Sequence, residues 1–251
     1  MTPYDSTNIT LPRPTDAQSI PKEGVSEPSD GVPTYMHDVY DWAYLNPRNV
    51  ALLDRNFIVD LILWGNSERL KQALLTEIEP EHTVLQAAHV YGSLVSEIAA
   101  RLANPNQLEV VEVAPVQAER CRHKLRDFPG AVIRVEDAAT VRTTPKDVVS
   151  SFFLLHEVPT DYKRAVVNTL LSHVNAGGKA VFVDYHKSHK LHPLRPLMRV
   201  VFDLFEPFAR ELCAHNISDY ADEPDAFSWH TETMFGGLYQ KTVARRRPAS
   251  D

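Results

Sequence analysis

The sequence predicts an α/β fold: a mostly parallel seven-stranded sheet with helices on both faces, preceded by N-terminal helices. Three observations predict it. From Pro80 onward, short apolar runs of strand length alternate with helical-period segments, the pattern of βαβ units that build a parallel sheet. The last apolar runs flank Gly236-Gly237, the composition of a hairpin that closes a sheet edge. The chain has 251 residues and is 43% hydrophobic. A chain of that size can bury roughly 70% of its unfolded surface, so its core needs no metal or disulfide.

Residues 1–34 are rich in Pro, Ser, Thr and Asp and match neither a secretory signal nor an Arg-rich transit peptide. Too little there can be buried to offset ordering, so a disordered leader is expected. Residues 35–80 form an expected helical cap. Val39, Trp42, Ala43 and Tyr44 precede Pro47, which can open a helix, and Val50, Leu53, Phe57, Leu61 and Trp64 recur at helical spacing until Gly65-Asn66 breaks it. The α/β domain then spans 81–247. Its first five strands are expected at 83–88, 108–113, 131–135, 148–155 and 179–184, with helices at 93–103, 115–126 and 160–173. Gly177-Gly178 is expected to turn the chain into the fifth strand. Residues 190–216 read as an amphipathic helical insertion. Leu194, Leu197, Met198, Val201, Phe202, Phe205, Phe208 and Leu212 recur near helical spacing between Lys190, Arg195, Arg199 and Arg210. Such an element either lies in a membrane interface or covers the sheet.

The bulk properties exclude some functions. A net charge of −7 argues against nucleic-acid binding, which needs a basic face, and the run Arg245-Arg246-Arg247 reads as a solvated tail. No stretch reaches the roughly 20 apolar residues that span a bilayer. Cys121 and Cys213 have no partner at metal or redox spacing, which fits a reducing cytoplasm.

Ligands of open α/β sheets bind outside the carboxyl ends of the strands, where the strand order reverses. Four of those ends carry polar candidates, the fourth strand running into His156-Glu157, a pair that reads equally as a plain strand–helix junction. Strand one runs into Gln86-Ala87-Ala88-His89-Val90-Tyr91-Gly92, strand two into Glu112-Val113, and strand three into Asp137-Ala138. A carboxylate after strand two can accept both hydroxyls of a ribose, and Asp137 can accept a hydrogen bond from an adenine amino group. Each acid alone reads equally as a solvated strand end.

These blocks resemble the class I S-adenosylmethionine-dependent methyltransferases, from Thr83 to Val243. The resemblance implies a Rossmann-like fold and S-adenosyl-L-methionine at Gln86, Ala87, Ala88, His89, Tyr91, Gly92, Glu112, Val113, Asp137, Ala138 and Phe153. The chain departs from that family's acidic-x-Gly-x-Gly-x-Gly loop. Gln86 stands at the acidic position, and Ala88, Val90 and Gly92 at the glycines. Bulky side chains there crowd the methionine end of the cofactor.

A narrower resemblance rests on the tracts Val39–Arg48 (VYDWAYLNPR), Leu61–Asn66 (LILWGN), His89–Gly92, Ser151–Glu157 (SFFLLHE), Gly177–His186 (GGKAVFVDYH) and Phe235–Lys241 (FGGLYQK). Together they look like the rhodoquinone biosynthesis methyltransferase-like proteins. That resemblance implies conversion of ubiquinone to rhodoquinone, a ring methoxy being replaced by an amino group, with S-adenosylmethionine as amino donor and manganese assisting. It further implies a lipid-soluble quinone substrate; the need to reach such a substrate, the basic amphipathic segment 190–216 and the cysteine usage together lead to the expectation of a cytoplasmic protein peripheral to the inner face of the membrane. Tyr91, His156, Glu157 and Tyr185 are then the catalytic candidates, with a base required to keep an attacking amine unprotonated. Asp184 and His186, at i and i+2 of an extended strand, share a face and are the candidate manganese ligands, while Tyr185 points the other way. A conventional small-molecule methyltransferase and a non-catalytic binding protein on the same fold stay open as alternatives.

Overall fold

The computed structural model describes Pro33, residues 54–204 and residues 206–248. The expected leader apart from Pro33, residues 35–53 of the expected cap, and Phe205 lie outside the described residues.

Two short helices come first, α1 (Asn56–Ile62) and α2 (Ser67–Leu75). They are separated where expected: Trp64 and Gly65 both take left-handed backbone, the usual way to end a helix. The sheet strands follow as β1 (Val84–Ala87), β2 (Leu108–Val111), β3 (Val132–Arg134), β4 (Lys146–Phe152) and β5 (Val174–Tyr185). Helices α3 (Leu94–Arg101), α4 (Pro115–Lys124) and α5 (Thr160–Ser172) connect them. Pro115 occupies the first turn of α4, where a missing N–H costs nothing. After β5 come α6 (Arg195–Leu204), α7 (Ala209–Leu212) and the hairpin β6 (Phe227–Met234) and β7 (Tyr239–Arg246). The insertion expected at 190–216 is therefore two helices.

The seven strands lie in the order β3-β2-β1-β4-β5-β7-β6. The first five are parallel and β7 runs antiparallel between β5 and β6. Two apolar layers cover the two faces. One packs α2, α3, α4 and α6 through Leu70, Leu74, Ile98, Cys121, Met198 and Phe202. The other packs α5 and α7 through Val166, Val167, Leu170 and Leu212. β1 is buried at all four positions, as a central parallel strand must be.

One expectation is corrected. Gly177-Gly178 does not precede the fifth strand but bulges within it: Val174 pairs with Lys146 and Lys179 with Val148, so five residue steps face two. Gly177 has φ +76°, and a Cβ on Gly178 meets the Asp147 carbonyl oxygen at 2.8 Å. Two residues without Cβ are what this bulge requires.

Glu77, just past α2, binds the helical layer to the hairpin. It accepts from Lys179 at 2.9 Å and Lys241 at 3.0 Å, both buried lysines. Burial opposes ionisation, but the two lysines hold the Glu77 carboxyl below its usual 4.5. Because the folded value is depressed, the contribution to stability is complete above pH 4.5 and is lost as the pH falls through the folded value. Glu77→Gln leaves the buried Lys179 ammonium without its carboxylate and Lys241 with Glu232 alone, at 3.4 Å. It is expected to destabilise the fold by about 3–5 kcal/mol in urea unfolding at pH 7, and by less at acidic pH.

Candidate active site

The loop after β1 carries no triple-glycine turn and is held instead by side chains from three other elements. Glu112, after β2, accepts the His89 N–H at 2.7 Å on one carboxylate oxygen and the Ala114 N–H at 2.8 Å on the other. Asp54, before α1, accepts the Gly92 N–H at 3.0 Å and two Arg120 N–H groups at 3.0 and 2.9 Å, and is joined by Lys124. Lys124 also donates to the Val90 carbonyl at 3.1 Å. Gln117, in the first turns of α4, bridges two rings: its oxygen lies 2.9 Å from His89 Nδ1 and its amide donates to Tyr91 Oη at 2.8 Å. Ala88, at the first glycine position, keeps the backbone a glycine would have, with φ +65°.

Each predicted cofactor residue can now be placed. Gln86 is fully buried and turned inward, donating to the Ala87 carbonyl at 2.7 Å and accepting from Ser150 at 2.6 Å. His89 is buried beneath the loop rather than lining an open methionine site. Burial, with Lys124 nearby, pushes its ring down to about 4, so it stays neutral. Its Nε2 has no hydrogen-bond partner. Tyr91 and Gly92 do face space. With Asn56, Val59 and Lys71 they line a cleft of about 380 Å³ between α1, α2 and Phe152. That volume lies within the roughly 300–1,000 Å³ of small-molecule pockets.

Glu112 departs furthest from expectation. It is 5% exposed, and its oxygens are taken by backbone donors, Val113 among them. Burial drives its carboxyl up to about 7 against those hydrogen bonds. A ribose reaches this carboxylate only after the His89 N–H has let go. Asp137 is half-buried; it accepts the Ala139 N–H at 2.8 Å and the Tyr162 hydroxyl, forming the turn that leads on from β3. Ala138 is half-buried beside it. Both oxygens of Asp137, like those of Glu112, are therefore engaged within the protein. Phe153, at the end of β4 with φ +52°, directs its ring away, into a cluster with Tyr185 and Tyr239 at centroid distances of 5.2 and 5.8 Å. Ala88 and Phe153 are non-glycine residues in left-handed backbone at the ends of neighbouring strands, where the order reverses. Such strain clusters at functional sites.

The second centre is His156, in a single helical turn (Leu155–Glu157) after β4. Its Nδ1 lies 2.8 Å from Asp184 Oδ1, and its Nε2 lies 3.8 Å from Glu157 and 3.8 Å from Glu206. Tyr185 closes against the ring at 4.8 Å and Phe153 at 5.7 Å. Desolvation acts against the charged ring, but Asp184, Glu206 and Glu157 overcome it and raise His156 to about 9. The imidazole thus carries a proton at neutral pH, where the sequence expectation was a free base.

The expected metal pair is corrected by the same geometry. Asp184 uses its two oxygens on Leu155 N–H (2.9 Å), His156 (2.8 Å) and Tyr185 N–H (2.7 Å). His186 lies beyond the end of β5 and faces the Gly237 carbonyl at 3.1 Å. Strand alternation stops at Tyr185, so the i, i+2 argument does not carry across to His186. Among the described residues, no group of three or more His, Cys, Asp or Glu side chains is gathered to hold a metal. Asp184 and His186 do not fit manganese. Tyr185, set on the opposite face by alternation, meets His156 because the 155–157 turn wraps the strand end.

No protein-family model matches the chain, and no curated protein matches its sequence. Solved structures match its shape. The mitomycin 7-O-methyltransferase MmcR superposes with a TM-score of 0.61 at 14% identity, over 82% of this chain and 60% of its own. Human N-acetylserotonin methyltransferase, in complex with S-adenosylmethionine, does so at 0.58 and 11%, over 86% of this chain and 63% of its own. The N-methyltransferase NodS from Bradyrhizobium japonicum WM9, in complex with S-adenosyl-L-homocysteine, does so at 0.54 and 13%, over 82% and 99%. The fold is that of the class I S-adenosylmethionine-dependent methyltransferases. At such identities the likeness fixes the shape and leaves the reaction to the site.

The His156–Asp184 pair makes a direct prediction. Nuclear magnetic resonance of the His156 ring is expected to show a midpoint near 9, falling in Asp184→Asn as the largest source of the raised value is removed. The folded value is raised, so the pair's contribution to stability is complete below pH 6.5 and fades as the pH climbs through about 9. A midpoint unchanged by Asp184→Asn contradicts the assignment.

Proposed function

We propose that the protein is an S-adenosylmethionine-dependent transferase acting on an oxygenated ring, with His156 moving the proton. The observation that carries this reading is the buried His156–Asp184 pair, set among aromatic rings at the carboxyl ends of β4 and β5. S-adenosylmethionine, when bound, supplies the transferred group. Asp137 and Ala138 receive its adenine, Glu112 its ribose, and Tyr91 and Gly92 flank the cleft beyond. Asp184 fixes the His156 Nδ1–H and leaves Nε2 to exchange the proton. Starting protonated, Nε2 hands its proton to the ring oxygen or to a departing alkoxide; once neutral, it takes the proton of an incoming nucleophile. Glu157 and Glu206, each 3.8 Å from Nε2, favour its protonated form through their charge.

The finer reading is the amination of a ubiquinone-type ring: the donor's amino nitrogen would bond to the ring carbon that bears methoxy, methanol would leave with a proton, and the nitrogen–carbon bond of the donor would then break by elimination. Its support is the resemblance in sequence, together with a loop after β1 that lacks the usual glycines and sets the Tyr91 ring on the cleft. Asp184 and His186, the residues expected to hold manganese, are engaged with the 155–157 turn and the Gly237 carbonyl. Conventional methyl transfer is the second reading, favoured by the shape shared with O- and N-methyltransferases.

One experiment separates them. The full chain is incubated with a short-tailed ubiquinone, in oxidised and reduced form, and S-adenosylmethionine labelled with nitrogen-15 at the amino group and carbon-13 at the methyl. Mass spectrometry is expected to find a product that has gained nitrogen-15 and lost one methoxy. Gain of carbon-13 instead identifies methyl transfer. In either reaction His156→Gln is expected to lower the rate by about 10²–10⁴-fold. Absence of both labels from the ring contradicts the proposal.

A further inference from the structure

The helix α6 is apolar around more of its circumference than the core can cover. Met198 and Phe202 are buried, and Leu194 and Val201 are half-buried against the same layer. Leu197, Val200 and Leu204, spaced by three and four, form a second stripe and are 45%, 51% and 56% exposed. Leu191, in the turn leading into the helix, is 96% exposed. Surface leucines scattered singly need no explanation, but these four fall within fourteen consecutive positions, 191 to 204.

Their surroundings are basic in an acidic protein. Residues 187–204 carry Lys187, Lys190, Arg195 and Arg199 against the single acid Asp203, while the whole chain has a net charge of −7. Asp203 is paired with Arg210, which removes its negative charge from play. Arg195 reaches back to the Lys190 carbonyl at 3.3 Å and holds the Leu191 turn to the start of the helix. Among the described residues no helix is long and apolar enough to cross a membrane. What remains is a short apolar ridge rimmed by cations.

We propose that this ridge is a membrane-docking surface, with Leu191, Leu197, Val200 and Leu204 entering the headgroup boundary of a bilayer that contains anionic lipid. The charge pattern chooses this occupant. Apolar side chains enter the acyl boundary, long Lys and Arg stems lie along it, and their charges meet lipid phosphates. Each such cation is drawn to an anionic surface, which offsets the repulsion felt by an acidic protein. Docking is independent of the transferase reading, since it involves neither cofactor nor His156.

The test is sedimentation of the full chain with vesicles of phosphatidylcholine alone and of phosphatidylcholine mixed with phosphatidylglycerol. Preferential partition onto the mixed vesicles is expected, weakening as salt rises. The quadruple variant Leu191→Ser, Leu197→Ser, Val200→Ser, Leu204→Ser is expected to reduce that partition at least tenfold without changing thermal unfolding, because these side chains are exposed. Lys190→Gln with Arg199→Gln is expected to reduce partition at low salt and to flatten the salt dependence. The proposal is overturned by failure of the parent chain to bind mixed vesicles, by equal binding to neutral ones, or by a quadruple variant that binds as the parent does. It is also overturned if ultracentrifugation shows a dimer that the quadruple variant abolishes while vesicle binding persists, which makes the ridge an interface between copies.

Discussion

The site depends on two carboxylates that replace glycines. In a glycine-rich loop, close approach is obtained by leaving out side chains. Here the loop after β1 is bulky, and its shape is imposed by Glu112 on the His89 N–H and Asp54 on the Gly92 N–H. Both acids are nearly inaccessible, which makes each hydrogen bond costly to leave unmade. Arg120 and Lys124 neutralise Asp54 and tie α4 to the same point. Gln117 then fixes the two rings that a glycine loop would lack. The strain at Ala88 persists because every neighbour of the loop is already committed.

Two functional centres follow from the reversal of strand order. The ends of β1, β2 and β3 bring Ala88, Glu112 and Asp137 to the side suited to a nucleotide. The ends of β4 and β5 bring His156, Asp184 and Tyr185 to the other. Phe153 belongs to both: its backbone sits in left-handed geometry at the reversal, and its ring packs against His156. His156 thus lies across β1 from the ends of β2 and β3, and its burial among Asp184, Tyr185 and Phe153 keeps its charge from being screened by water.

Much of the architecture was legible because apolar periodicity and strand length report directly on burial. The five parallel strands and the closing hairpin rest on runs such as Val148–Leu155 and Lys179–Asp184. The bulge at Gly177-Gly178 was misread, since paired glycines serve a turn and a bulge equally well. The candidate residues were found by position at strand ends, but their bonds were not. Asp54 lies far from the loop in sequence and Gln117 within a helix, and nothing in composition announces that either holds the loop. Asp184 was read as a metal ligand because alternation alone cannot say whether a carboxylate meets an ion or a histidine. The signal that could have paired it with His156 is their common place at the ends of adjacent parallel strands. Glu206 reaches His156 from the segment between α6 and α7, a tertiary contact without a local pattern.

The central claim is that this glycine-poor pocket still binds S-adenosylmethionine, with its adenosine half held at the ends of β2 and β3. Calorimetric titration of the full chain with S-adenosylmethionine tests it most directly, using the parent and Asp137→Ala, whose folding is checked by thermal unfolding. The account predicts saturable binding to the parent, at one site per chain, and an affinity about ten- to a hundredfold lower in folded Asp137→Ala. No saturable binding to the parent, or an affinity untouched by the substitution, contradicts it.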